Sequence, residues 1–220
     1  MKDSASIKRE NKAQIRKLLV CGKPYTKQQI ALQTGLSVAS CNTYLNEMEM
    51  TGEVIGEKQK LHDVGRNAAV YKLNEDFESI LCIYFELIQG IKSIEAAVFS
   101  PIGRLLNQQT RQYEILDYTV IEREVAELLE QFPNASQIMV GTPSIAENGV
   151  IRHSDILELE NVPLKARLEE KFQLPVLLSN DMHYKVYGYY RQEQIFDKIV
   201  TLIYYPAGVL PGTATVHKGV

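Results

Sequence analysis

The chain has 220 residues, 45% of them apolar and 23% charged, with a formal net charge of -3. That is the composition of an ordinary globular protein, long enough for one large or two small cores. No apolar run reaches the roughly 20 residues that cross a bilayer, and the polar start Met1-Lys-Asp-Ser is no signal peptide, so a cytoplasmic protein with no membrane partner is expected. The three cysteines, Cys21, Cys41 and Cys82, are scattered and odd in number; this argues against a disulfide framework or zinc knuckle and fits a reducing compartment.

Charge is unevenly placed. Met1 to Asp76 carries 12 Lys and Arg against 9 Asp and Glu, the remainder 12 against 18, and the first 46 residues alone 8 against 2. A basic head on an acidic body favours phosphate contact at one end only, although a solvated N-terminal helix has the same composition.

In chain order, Ser6 to Val20 reads as a first helix with Ile15, Leu18 and Leu19 as its apolar stripe and Lys8, Arg9, Lys12, Arg16 and Lys17 around it. Thr26 opens a second, Gly35 breaks it, and a third starts its first turn at Ser37 and stops at Gly52. Cys41, Tyr44, Leu45 and Met48 gather on one face of that third helix, so Ser40, Asn42 and Thr43 point elsewhere. This is a helix-turn-helix pattern, and small polar residues at the start of its second helix suit a DNA major groove; two helices of a bundle with a solvated face would read alike. Val54-Ile55 and Val70 to Leu73 are expected to be strands of a wing, with Gly65-Arg66-Asn67 at its tip, against the alternative of a plain loop.

Beyond Phe77 the period changes. Ile80 to Leu87, Ser93 to Phe99 and Arg104 to Glu114 read as three antiparallel strands, and Thr119 with Glu122 as a capping box for a helix running to Phe132. Strand Gln137 to Gly141, a hairpin turn at Asn148-Gly149, helix Pro163 to Phe172, strand Pro175 to Ser179, a further helix and strand Ile199 to Tyr205 follow. The order is mixed α/β around a largely central sheet. Thr213 to His217 resembles one strand of a hairpin whose turn is Lys218-Gly219; a fragment, natural truncation or shortened chain is therefore expected.

The whole order resembles the ROK family, which groups bacterial transcriptional repressors and activators of carbohydrate genes with sugar kinases. Leu36-Ser37-Val-Ala39-Ser40-Cys-Asn42-Thr43-Tyr-Leu45-Asn-Glu47-Met48, then Gly52-Glu-Val54, then Gly65-Arg66-Asn-Ala-Ala-Val70-Tyr-Lys-Leu73 match the winged helix of its regulators. Val140-Gly-Thr-Pro143, Asn161 to Glu170 and Leu174 to Asp181, which ends a strand in Asn-Asp, match the first half of its actin-like body. The resemblance implies an α/β protein of two domains: a winged helix-turn-helix over 1–76 and, over 77–220, the first half of an actin-like (ribonuclease H-like) ATPase fold. It implies a homodimer on double-stranded DNA, and a repressor answering to a sugar or sugar phosphate.

Departures from the kinases are specific. Their D-x-G-G-T phosphate turn corresponds to Glu86-Leu-Ile-Gln-Gly90, and their second, glycine-dense phosphate loop to Pro206 to Gly212, where two prolines remove N–H donors. The family's zinc-binding second half is absent from the sequence. Loss of ATP binding is therefore expected, with no catalytic residue, cofactor or metal.

On this reading Thr26, Lys27 and Gln28 position the motif on phosphates; Ser37, Ala39, Ser40, Asn42 and Thr43 face the groove; Arg66 and Asn67 serve the wing. Regulators of the family often carry Arg where Val38 and Thr43 stand here, so affinity is expected to lean on Lys27, Arg66 and the first helix. Asp181 matches the kinase base; without a phosphate donor, Asn180 and Asp181, with Ser154 and Asp155, are candidates for sugar hydroxyls, or Asn180 and Asp181 merely cap a helix. His153 and His183 could join the site but lack metal-ligand spacing. A sugar kinase with an added head, and a body that only dimerises, are the alternatives.

Overall fold

The computed structural model describes residues 3–59, 68–205 and 211–218. The chain divides into two compact units, Met1–Glu78 with Ser100–Arg104, and Ser79–Phe99 with Leu105–Val220.

The first unit runs α1 (Ser4–Leu19), β1 (Tyr25–Thr26), α2 (Lys27–Thr34), α3 (Val38–Met50), β2 (Val54–Gln59) and β3 (Ala68–Leu73). Each helix starts where a side-chain oxygen takes up an otherwise unpaired N–H. Asp3 accepts from Ser6 N at 2.6 Å, Ser37 from Ser40 N at 3.0 Å, and Thr26 with Gln29 forms a reciprocal capping box. Gly35 sits at φ +72°, a left-handed backbone that glycine adopts at little cost, and the chain reverses there between α2 and α3. The apolar stripes then meet: Ile15 and Leu19 of α1, Ile30 of α2, and Cys41, Leu45 and Met48 of α3 are fully buried, with Val54, Tyr71 and Leu73 of the strands. Each such aliphatic side chain contributes about 1.5–3 kcal/mol by leaving water. The strands form a three-stranded antiparallel sheet of order β1-β3-β2. The expected pair of strands is there, but β1, two residues long, is a third partner that its sequence gave no period to reveal.

The second unit runs β4 (Ser79–Ile88), β5 (Ile91–Phe99), β6 (Leu105–Tyr113), α4 (Tyr118–Gln131), β7 (Ala135–Thr142), β8 (Ile145–Glu147), β9 (Val150–His153), a 3₁₀ turn (Leu157–Leu159), α5 (Leu164–Phe172), β10 (Val176–Asn180), α6 (Asp181–Gln192), β11 (Ile199–Tyr204) and β12 (Gly212–His217). A five-stranded sheet of order β10-β7-β4-β5-β6 is its frame, parallel across β10-β7-β4 and antiparallel across β4-β5-β6. Leu81, Ile83 and Phe85 alternate along β4 with half-buried Cys82 and Tyr84, and their buried face packs with Ile121, Val125 and Leu128 of α4 and Leu164 and Leu168 of α5.

Two expectations need correcting. Helix α4 is capped not by Thr119 but by Asp117, whose carboxylate accepts from Val120 N at 3.0 Å; starting there lets buried Tyr118 and Ile121 join the core. Strand β11 does not extend the central sheet but pairs with β12 in a sheet of its own, whose Ala214 and Val216 pack on Met182, Val186 and Tyr190 of α6.

Candidate nucleic-acid interface and ligand cleft

In the first unit, α3 buries Cys41, Leu45 and Met48, so its other face turns outward. Ser37, Val38, Ala39, Asn42 and Thr43 are exposed and Ser40 is half-buried. The polar atoms on this face are ordered: Ser37 and Ser40 share a hydroxyl hydrogen bond of 2.9 Å, Thr43 donates to Ala39 O at 3.2 Å, and the Asn42 amide oxygen accepts from Lys27 Nζ. Thr26 is occupied as the cap of α2, while Gln28 beside it is exposed. Arg66 and Asn67 lie outside the described residues.

The basic stripe of α1 is less open than its sequence implies. Lys8 and Lys12 each reach a Glu47 oxygen at 2.8 Å, and Arg16 binds Glu53. Hydrogen bonds from Lys12, then Lys8, hold the Glu47 carboxyl below its ordinary range. Three of the five cations expected to strengthen the basic head are thus engaged within the unit, and Arg9 and Lys17 remain on its surface.

In the second unit a cavity of about 740 Å³ opens beside the C-terminal ends of β7 and β10, and Ser154, Asp155, Asn180 and Asp181 all line it. Their chemistry differs. Asn180 caps α6, accepting from Met182 N at 3.0 Å, and donates to Ser144 O at 3.1 Å, so the helix-capping alternative describes its position. Ser154 bonds Ser144 Oγ at 2.7 Å and accepts from Ile156 N at 3.1 Å. Asp155 is exposed and bonds no side chain among the described residues. His183 shares a hydrogen bond with Ser179 at 3.0 Å, and exposed His153 lies 3.8 Å from Glu160.

Asp181 is buried and its Oδ2 is saturated. Tyr84 donates to it at 3.0 Å and Lys185, one helical turn on, at 2.9 Å; the Lys185 ammonium also bonds the Tyr84 hydroxyl and lies 4.5 Å from the Tyr204 ring centroid. Burial, then the Asp181 charge, pushes the Tyr84 phenol far above its ordinary value, so it stays protonated and donating. Gly141 on β7 makes room for this cluster: a Cβ there would stand 3.3 Å from Tyr84 and 3.7 Å from the Asp181 backbone. Sequence reasoning missed Tyr84 and Lys185, although the i,i+4 spacing of Asp181 and Lys185 on a helix was a usable signal.

The segment matching the kinase phosphate turn has no free loop. Antiparallel pairing continues to Ile88↔Ile91, and Gln89 and Gly90, both at positive φ, make a two-residue hairpin turn. Most of the second phosphate-loop segment, 206–210, lies outside the described residues. Among the described residues no group of three or more His, Cys, Asp or Glu is placed to hold a metal ion, and no helix is long and apolar enough to cross a membrane.

No family model matches the chain. The xylose repressor of Caldicellulosiruptor bescii is 24% identical over 217 residues, covering 92% of this chain and 52% of the repressor. The structure of a ROK family transcriptional regulator homologous to the E. coli Mlc protein superposes with a TM-score of 0.74 at 19% identity over 97% of this chain and 55% of the other. A ROK family glucokinase from Streptomyces griseus superposes with a TM-score of 0.55 at 19% identity over 64% of this chain and 45% of the kinase. The α/β fold is therefore that of ROK proteins with an actin-like, kinase-type domain, and the likeness to the xylose repressor and to the ROK regulator supports the resemblance to a ROK-family repressor. The chain spans about half the length of the relatives it matches.

Proposed function

We propose that the chain is a sequence-specific DNA-binding transcriptional regulator, a repressor of carbohydrate genes. Its N-terminal winged helix-turn-helix, over 1–76, takes duplex DNA, and its ROK-type body, over 77–220, answers to a sugar or sugar phosphate. The observation that carries this is the outward face of α3, where Ser37, Ala39, Asn42 and Thr43 are exposed while the opposite face closes the core. Such a helix can enter a major groove without unfolding anything. Two copies on a pseudo-palindromic site give the dimer, and the soluble setting is the cytoplasm.

The body reads as a sensor rather than a catalyst. A kinase base must be free to take a hydroxyl proton, whereas Asp181 has one oxygen held by Tyr84 and Lys185. The β4-β5 ladder runs on to Ile88↔Ile91 and closes in the Gln89-Gly90 turn, without the double glycine and threonine of the kinase phosphate turn. What Asp181 Oδ1, Asp155 and Ser154 offer around the cavity is acceptors for sugar hydroxyls.

A gel shift against the chain's own upstream region and a random duplex library tests the reading. Salt-sensitive binding that a sugar or sugar phosphate releases is the expected result. ATP turnover with any hexose, dependent on Asp181, would return the kinase reading, and calorimetric silence towards all sugars would reduce the body to a dimerisation module.

A further inference from the structure

Lys27 begins α2 and Asn42 lies on the outward face of α3, yet the Lys27 ammonium donates to the Asn42 amide oxygen. An ammonium has donors only, so this contact settles which end of the amide faces it. Both Nδ2 hydrogens of Asn42 then point away from Lys27. The ammonium also lies 5.3 Å from the ring centroid of Tyr71, a buried residue of β3. With a ring on one side and a carbonyl on the other, Lys27 is held beside the exposed face of α3, and among the described residues no carboxylate pairs with it.

We infer that Lys27 and Asn42 act as one reading unit for guanine in the major groove; the inference rests on the DNA-binding reading above. Guanine presents two acceptors there, O6 and N7, whereas adenine presents N7 and the N6 donor. Asparagine reads adenine by accepting from N6 while donating to N7. Here the accepting oxygen is already on an ammonium, so only donors, the amide hydrogens and the remaining ammonium hydrogens, are left to the pair. The pair therefore offers surplus donors, which match O6 and N7 and meet the adenine N6 donor with like charge. Lys27 thereby moves from a phosphate anchor to a residue that determines sequence.

The test is selection from a randomised duplex library at low salt by the full chain, by Lys27→Met and by Asn42→Ala, each confirmed folded by its thermal unfolding. The wild-type chain should hold one position of each half-site as guanine. Lys27→Met should cut the preference for guanine over adenine there by about tenfold or more, and Asn42→Ala should flatten the same position. Adenine at that position in wild type would overturn the inference. So would a Lys27→Met chain that loses affinity equally for all sequences, with a salt slope lower by about one and an unchanged base preference, since that is how a phosphate contact behaves. Failure of the wild-type chain to bind any duplex in a salt-dependent way would remove the DNA-binding reading itself, and this inference with it.

Discussion

Lys185 donates to Asp181 Oδ2 at 2.9 Å from one turn further along α6, and so places a cation on the carboxylate that begins the helix. Asp181 is buried, and removing its cationic partner leaves its charge with the Tyr84 hydroxyl as its side-chain donor among the described residues. Lys185→Met should destabilise the second unit by about 1–3 kcal/mol, less than a fully buried pair because Lys185 is partly exposed. Asp181→Asn combined with Lys185→Met should recover part of that loss. Urea unfolding of the single and double variants checks this coupling, and a Lys185→Met chain as stable as wild type would show that the pair is ornamental.

Gly35 turns the chain between α2 and α3 at φ +72°, and a Cβ placed there meets nothing within 4 Å. Gly35→Ala should therefore cost only backbone strain, about 1–2 kcal/mol, and Gly35→Asn less, because asparagine tolerates the left-handed region. Thermal unfolding of the three chains gives the order; equal loss in both variants would mean that packing rather than φ is at stake.

The Glu158 carboxyl is held below its ordinary range, chiefly by the hydrogen bond from Lys92. A carboxyl lowered in the folded state contributes stability that is complete above its unfolded value, about 4.3, and is lost as pH falls through the lowered folded value. Wild type should thus exceed Lys92→Met in unfolding free energy by a constant amount from pH 7 to about 5, with the gap closing below about 4. Urea midpoints at these pH values read the difference. A gap that widens in acid would contradict the sign.

The three thiols should separate cleanly. Cys21 is exposed, Cys41 is buried with its thiol raised by burial, and burial pushes Cys82 up to about 11. The thiolate is the reactive form, so alkylation at neutral pH should mark Cys21 alone, as read by mass spectrometry of the native chain. Labelling of Cys41 before Cys21 would mean that the three-helix core opens.

Most of the frame was legible in the sequence because local chemistry agreed with the fold. Thr26, Gly35, Ser37 and Gly52 each do at a helix end what their residue type permits, and the alternation in β4 follows from its two unlike faces. What escaped was set by distant partners. Strand β1 exists because Tyr25 and Thr26 pair with Tyr71 and Val70, and Asp117 outcompeted Thr119 because the core wanted Tyr118 and Ile121. In the cleft, Ser154, Asp155, Asn180 and Asp181 do line one cavity, but Tyr84, 97 positions from Asp181, could not be placed beside it without the parallel β4-β7-β10 order. The Lys27 contact to Asn42 likewise needs the angle between α2 and α3.

Thr43 stands exposed on α3 and donates to Ala39 O of its own helix, so Thr43→Glu can add a negative charge without disturbing the core. Fluorescence anisotropy of a labelled operator duplex, titrated with wild-type and Thr43→Glu chains between about 50 and 200 mM salt, tests the central claim. The wild-type affinity should fall steeply and log-linearly with salt, and Thr43→Glu should abolish binding while its thermal unfolding stays that of wild type. Equal binding by the two chains would contradict a groove-facing α3.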